Sequence, residues 1–472
     1  MLPKKELSLF DSTCLIVGII IGAGIYQMAP DIAKGAGSIS GIFLIWIVGG
    51  LLSLFGALGY AELATAYPKE GGDYVYLTKA YGKWAGFLFG WVQLAVVRPG
   101  DIVVVAFAFA MYAKEIYNPW LDPHSGQIIY AALAVAALTL INVIGVREGK
   151  WTQNILTVVK GLGLIAILLV ALTTSGPAES TDAAPIEFEF PTTSVALIMV
   201  LFTFGGWNEM AYVAAEVKNP KRNIVRALVT GTVAVTVLYL LANAAFLYTL
   251  GYNGMAQSTA VAADTIAARL PNMGAKLISA LICISALGAV NGLIFTGARI
   301  SYAVGADHRV FKPLGKWSSA TGTPARALLL QGGLALILVV LLGSFTQALL
   351  YTAAAVYSFY LATSLAVIVL RDKDPQTERP YKVTGYPVTT IIFCNVCAYL
   401  IYSSITYSYS NLGPEVAQRL IELAPSLTDK FSPEICGYIV ASLPYALLLA
   451  GLPLYWLTTG KKSALEKPPS ND

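Results

Sequence analysis

Apolar residues run in long, nearly uninterrupted stretches from one end of this chain to the other, with charged and turn-forming residues collected between them. A stretch of about 20 apolar residues at 1.5 Å rise per residue carries an α-helix across a hydrocarbon core. The alternation predicts twelve spans, near residues 12–30, 40–65, 84–113, 127–146, 152–174, 194–216, 226–251, 275–303, 327–343, 346–370, 387–409 and 436–458. The ninth and tenth are divided only by a short step near Gly343. The expected fold class is thus an all-α polytopic membrane protein. Residues 1–458 read as one integral membrane domain and 459–472 as a tail.

Composition agrees with the pattern. Hydrophobic residues make up 56% of the 472 and charged residues only 12%, with a mean hydropathy of +0.66, against about 25% charge in a soluble domain. The first run follows Lys4 and Lys5 and has no small-residue cleavage site after it, so it reads as a retained span. The net charge of +4 matters less than its placement. With the N-terminus placed inside, lysines and arginines fall on the inner side of the membrane about four times as often as on the outer. That asymmetry puts both termini in the cytoplasm of a cell membrane, inner or plasma, and leaves the acidic stretch 179–189 outside.

Cysteines and histidines add no chemistry. Cys14, Cys283, Cys394, Cys397 and Cys436 mostly lie within apolar runs, and the Cys394–Cys397 pair has no second pair or histidine beside it. His124 and His308 are expected in loops. No metal site, cofactor or convergent nucleophile emerges, and nothing basic enough to meet nucleic acid.

The informative residues are those that spoil helices. The first run contains "GIIIGAGIYQMAP" at 18–30, with Gly18, Gly22 and Gly24; the sixth contains "FTFGGWNEM" at 202–210, with Gly205 and Gly206. Gly18 and Gly22 alone form a G-x-x-x-G that suits helix packing. Gly24 and the matching pair in the sixth run instead point to local unwinding. Unwinding frees N–H groups on one side of the break and C=O groups on the other, costly in hydrocarbon unless they line a cavity or meet a ligand. The N–H groups favour a carboxylate and the carbonyls an ammonium, so two breaks side by side suit the backbone of an amino acid. Interrupted runs five spans apart also predict an inverted repeat with a midplane site, repeat one about 8–175 and repeat two about 190–371, followed by two helices over about 385–458.

Other polar residues in apolar runs leave two readings each. Lys160 lies about nine residues into the fifth span, roughly 13 Å deep, either snorkelling to an interface or bridging to the broken first span. Arg98 and Asp101 are three apart on one face of the third span and read as a structural pair, with Pro99 and Gly100 marking an irregularity. Glu62 is a solvated helix end or part of an inner gate; Glu216 reads as a partner of the basic loop after the sixth span. Phe202 and Trp207 are lipid-facing aromatics or cavity lining.

In order along nearly the whole chain, "GIIIGAGIY", "YAELATAYPKEGGDYVYL" (60–77), "VVRPGD", "FTFGGWNEMAYVAAEVKNPKRN", "ALGAVNGLIFTGAR" (286–299) and "ERPYKV" (378–383) resemble the amino acid–polyamine–organocation superfamily, and within it the L-type amino acid transporter branch. The resemblance implies a fold like that of the bacterial leucine transporter, with five plus five inverted helices, two more, and broken helices 1 and 6. It implies a substrate carboxylate at the N–H groups of Ala23 and Gly24, opened by Gly22, and an amino group at the carbonyls of Ile20 and Phe202. Phe202 falls on the aromatic gate and Asn208 on a polar residue near the substrate, and Phe204 and Gly205 between them are expected to bind substrate as well. Lys160 matches a lysine that replaces a sodium site. Trp207, Glu62 and Glu209 are further coupling or gating candidates. Glu209 departs from the pattern, and biases the site toward amines or binds a proton. The loop 114–126 lacks the cysteine that bonds a heavy chain in mammalian members, so no disulfide-linked partner is expected.

The function implied is a secondary active permease, not an enzyme. It moves neutral L-amino acids by alternating access, sodium-independent, as an exchanger or with protons; substrate and lipid are its partners. An amine, polyamine or cationic amino acid carrier of the same fold is the alternative within transport, and a transporter-like nutrient sensor the alternative outside it.

Overall fold

The computed structural model describes residues 5–22, 24–69, 71–119, 123–173, 193–258, 260–269, 274–318, 321–342, 345–407 and 433–459. The described residues are helical nearly throughout. The first run opens at Ser8 with a capping box: the Ser8 hydroxyl accepts from Asp11 N–H at 3.1 Å, and the Asp11 carboxylate accepts from Ser8 N–H at 2.9 Å. Helix α1 (Leu9–Ile20) then stops well short of the predicted span end, and the chain continues as α2 (Gly24–Gln27) and α3 (Ala29–Ala36). Helix α4 (Ile39–Ala66) is the second span; α5 (Asp73–Tyr81) lies in the connection that follows.

The third span is not one regular helix. Helix α6 (Lys83–Val92) passes through a π-helical turn, Gln93–Val97, into α7 (Arg98–Ile116). The irregularity expected at Pro99 and Gly100 thus lies one turn earlier. Pro99 has no N–H for the carbonyl a turn before it, and a widened turn is the way a continuous helix absorbs that loss. Helix α8 (Pro123–Ile144) and α9 (Val146–Leu172) follow; His124 belongs to the first turn of α8, not to a loop.

The sixth run breaks as the first does. Helix α10 (Thr193–Thr203) ends in a turn over 204–208, and only a short α11 (Glu209–Tyr212) continues it. Gly206 in that turn has φ +115°, a conformation that side chains with a Cβ rarely adopt. The remaining helices are α12 (Pro220–Gln257), kinked at Gly251, α13 (Val261–Ala267), α14 (Gly274–Asp307), α15 (Ala325–Leu342), α16 (Phe345–Lys373), α17 (Val388–Tyr407) and α18 (Pro433–Thr459). Nine helical stretches among the described residues are long and apolar enough to cross a membrane. Three shorter apolar helices, Thr193–Thr203, Ala325–Val340 and Tyr445–Thr458, fall on the sixth, ninth and twelfth predicted runs. The protein is an integral, multi-pass membrane protein.

The two broken runs are packed together. Leu7 N–H donates to Glu216 C=O at 2.9 Å and Lys218 N–H to Leu7 C=O at 2.8 Å, tying the entry of the first run to the exit of the sixth. At Gly206 a Cβ would stand 2.6 Å from the Ile19 side chain, so one break seats directly on the other. Gly18 also proves to be a packing glycine: a Cβ there would meet Thr157 Oγ1 of α9 at 2.1 Å.

Candidate functional site

Between the two breaks lies a cavity of about 920 Å³, part of it open to solvent. Ile20, Gly22 and Gly24 line it from the first run, and Phe202, Thr203, Gly205 and Gly206 from the sixth. The opposite wall comes from α7, where Asp101, Val105 and Ala108 share one helical face, and from α14 and α16 through Ala289, Leu293, Thr352 and Tyr360.

The backbone at the first break is satisfied by side chains from other helices. Gly22 N–H turns back to Ile20 C=O at 2.7 Å. The Tyr239 hydroxyl of α12 sits 2.7 Å from Ile20 C=O and 3.2 Å from Thr203 C=O, so it bridges both broken runs. The Ser285 hydroxyl of α14 donates to Ile21 C=O at 2.9 Å. Lys160 of α9 is fully buried, and its ammonium donates to Gly18 C=O at 2.5 Å, Ile21 C=O at 2.8 Å and Ser285 C=O at 2.9 Å. The amine is therefore not snorkelling: it joins three spans, and it does so behind the cavity wall, since Lys160 is not among the lining residues. At the second break Gly205 N–H returns to Phe202 C=O at 2.8 Å.

Several residues expected at this cavity are elsewhere. Phe204 is fully buried against Trp46 and Tyr239, with ring centroids 5.9 and 5.2 Å away. Trp207 packs into an aromatic group with Tyr60, Tyr360 and Phe393 at 5.1, 5.2 and 5.8 Å, and does not line the main cavity. Neither is lipid-facing. Asn208 donates to the Tyr212 hydroxyl at 3.1 Å and accepts from Tyr360 at 3.0 Å, in a second chamber rather than the main cavity. The non-helical turn over 204–208 explains these departures, because it removes the register that a continuous helix would have kept. Ala23 lies outside the described residues.

The charged residues also pair differently from expectation. Arg98 binds not Asp101 but Glu209, through Nη2 at 2.8 Å, while its Nε donates to Gln93. The other Glu209 oxygen accepts from Thr296 at 2.5 Å. Glu209 faces the main cavity but is neutralised by this partner. Asp101 takes a hydrogen bond from Thr352. Glu216 pairs with buried Arg299 at 2.8 Å, not with the basic loop after it. Glu62 is buried rather than solvated. It accepts a two-pronged contact from Arg371 at 2.8 and 2.5 Å and a bond from Val383 N–H at 2.7 Å, with Arg379 at 3.5 Å.

A second chamber of about 290 Å³ shares Asp101, Glu209, Val356 and Tyr360 with the main cavity. Asp73 lies at its far side, hydrogen-bonded by Tyr60, Thr363 and Tyr212, the last at 2.6 Å. Burial pushes the Asp73 carboxyl up from its ordinary pKa, and the three hydroxyl donors oppose that shift. Sequence reasoning missed this group. No periodic signal along the chain links residues 60, 73, 212 and 363.

A family model described as amino acid permease matches residues 7–421. The chain is similar to the b(0,+)-type amino acid transporter 1 of Mus musculus, 32% identical over 396 residues that cover 82% of this chain and 81% of that protein. The Homo sapiens protein of that name is 32% identical over 391 residues, 80% of this chain and 79% of that protein. The large neutral amino acids transporter small subunit 2 of Mus musculus is 30% identical over 463 residues, 96% of this chain and 81% of that protein. These are transporters rather than enzymes. The chain belongs to the amino acid permease family of the amino acid–polyamine–organocation superfamily, with its relatives in the L-type branch.

Proposed function

We propose that the protein is a secondary active, sodium-independent carrier that moves neutral L-amino acids by alternating access, as an exchanger or with protons. The observation that carries this reading is the meeting of two broken runs at one cavity. In this reading the substrate carboxylate sits at the break that Gly22, Ala23 and Gly24 open. Its ammonium sits at the carbonyls of Ile20 and Phe202. The Phe202 carbonyl accepts from Gly205 N–H, whereas the Ile20 carbonyl accepts from both Gly22 N–H and the Tyr239 hydroxyl, so an ammonium at Ile20 displaces one of those two bonds. Phe202, on the cavity wall, closes over the bound molecule.

Lys160 acts as a fixed cation that holds the first break against α9 and α14, so that no sodium ion is needed there. Glu62 with Arg371 and Arg379 forms the inner gate. The proposed architecture is one domain over 1–458: two inverted repeats at about 8–175 and 190–371, then two helices over about 385–458, with a tail at 459–472. Both termini face the cytoplasm across an inner or plasma membrane, and no heavy chain attaches by a disulfide at 114–126. The Arg98–Glu209 pair supports neutral over cationic substrates, because it leaves Glu209 with no free charge to offer an amine.

The test is purified protein in sealed liposomes with a panel of labelled amino acids and amines. It is run with and without internal substrate, and at varied pH and sodium. Uptake of neutral amino acids that is stimulated by internal substrate or an inward proton gradient, and indifferent to sodium, is expected. Binding without flux, or flux of amines alone, would overturn the reading.

A further inference from the structure

The two carboxylates on the main cavity are not equivalent. Both Glu209 oxygens are engaged, one by Arg98 and one by Thr296. Asp101 forms no direct ion pair among the described residues, takes the Thr352 hydroxyl, and keeps part of its surface open. A carboxylate offers about four acceptor positions, so Asp101 has capacity to spare. It is also one of the four residues, with Glu209, Val356 and Tyr360, that line both the main cavity and the second chamber, and Arg98 lines the second chamber beside it.

Arg98 shows the complementary shortage. Its Nε and Nη2 are bonded, but Nη1 is buried and has no hydrogen-bond partner among the described residues. A buried guanidinium N–H left unpaired is costly. Arg98 and Asp101 stand three residues apart on α7, on the same helical face. Both residues line the second chamber, so its wall holds one carboxylate with acceptor capacity to spare and one buried guanidinium N–H without a partner among the described residues.

A methyl group satisfies neither. An ammonium satisfies the acceptor only, because it has no lone pair for Nη1. A hydroxyl satisfies both, donating to Asp101 and accepting from Arg98. We propose that Asp101 and Arg98 form the side-chain subsite of the cavity and select small neutral amino acids that carry a hydroxyl. The inference rests on the transport reading above and names its substrate class.

Threonine and valine are the probes, since they differ by a hydroxyl in place of a methyl. A site built to bond a hydroxyl discriminates strongly against the analogue lacking it. Wild-type protein in liposomes should show kcat/KM for threonine at least about tenfold above valine, and lysine should not exceed threonine. Asp101→Ala should bring the threonine-to-valine ratio close to one, mainly by loss of threonine. Asp101→Asn keeps an acceptor oxygen and the side-chain shape. It should give an intermediate ratio, and it keeps the test usable if the alanine variant does not incorporate. Equal wild-type rates for threonine and valine overturn the inference, as does lysine preferred over both, or an unchanged ratio in the variants. Wild-type protein that moves no amino acid at all rejects the transport reading instead, so the two failures are distinguishable.

Discussion

Lys160→Met is the most informative single change, because it removes a charge without removing much volume. In the wild type the ammonium holds three backbone carbonyls. After substitution they fare differently. Ile21 C=O keeps the Ser285 hydroxyl at 2.9 Å. Ser285 lies in the middle of α14, where its carbonyl retains a helical partner. Gly18 C=O is the exposed case. Its regular partner, Gly22 N–H, is turned back to Ile20, so nothing in its own helix replaces the lysine. One buried carbonyl left unsatisfied costs about 1–3 kcal/mol. The desolvation of the ammonium is relieved at the same time, which offsets the loss of its own bonds.

The conformation captured here should therefore lose about 1–3 kcal/mol relative to others in the cycle, roughly a five- to 150-fold change in their balance. The assay is exchange and empty-carrier return in liposomes, at matched incorporation. Transport should slow within that range while protein yield stays normal. Ser285→Ala added to Lys160→Met orphans Ile21 C=O as well, and the double variant should lose more than the two singles combined. Rates within twofold of wild type for Lys160→Met, together with simple additivity in the double variant, would refute the bridging argument.

Three further outcomes are expected. Gly24→Val presses its side chain on Thr203, whose Oγ1 and Cγ2 lie 3.0 and 3.2 Å from where a Cβ would stand; uptake should vanish with insertion intact, and normal uptake removes the site from Gly24. Arg98→Met leaves Glu209 charged, buried and unpaired, at a cost of about 3–5 kcal/mol; the thermal midpoint in detergent should fall and be largely restored by adding Glu209→Gln, whereas no restoration denies the pairing. Glu62→Gln strips Arg371 and Arg379 of their shared partner; faster release of preloaded substrate from liposomes is expected, and an unchanged release rate excludes Glu62 from the gate.

Much of the architecture was legible because it depends on local properties of the chain. Runs of apolar residues must become helices wherever lipid withholds hydrogen-bond partners, and the observed helix ends fall within a few residues of those expected for α4, α15, α17 and α18. The breaks were legible too, since glycine is among the weakest residues at holding a helix. The register past a break was not. Phe204, Trp207 and Asn208 were expected at the cavity, but a turn with one glycine at φ +115° sends them elsewhere. Charge pairing failed for a related reason. Arg98 and Asp101 are neighbours on one helix, yet the closer partner is Glu209, 111 positions along the chain.

The sequence by itself determined that this is a helical membrane protein, where its long apolar helices lie, and that the first and sixth runs open at Gly22–Gly24 and Gly205–Gly206. It also marked Lys160 as a buried charge needing a purpose. Only the tertiary structure decided which groups meet at the opening: Tyr239 and Ser285 on the freed carbonyls, Glu209 neutralised by Arg98, and Asp101 left facing the cavity. Helix formation is decided residue by residue, from hydrophobicity and backbone hydrogen bonding within a few turns. The partner of a buried polar group is decided by which distant helix brings a matching atom within 3 Å, and no pattern along the chain encodes that.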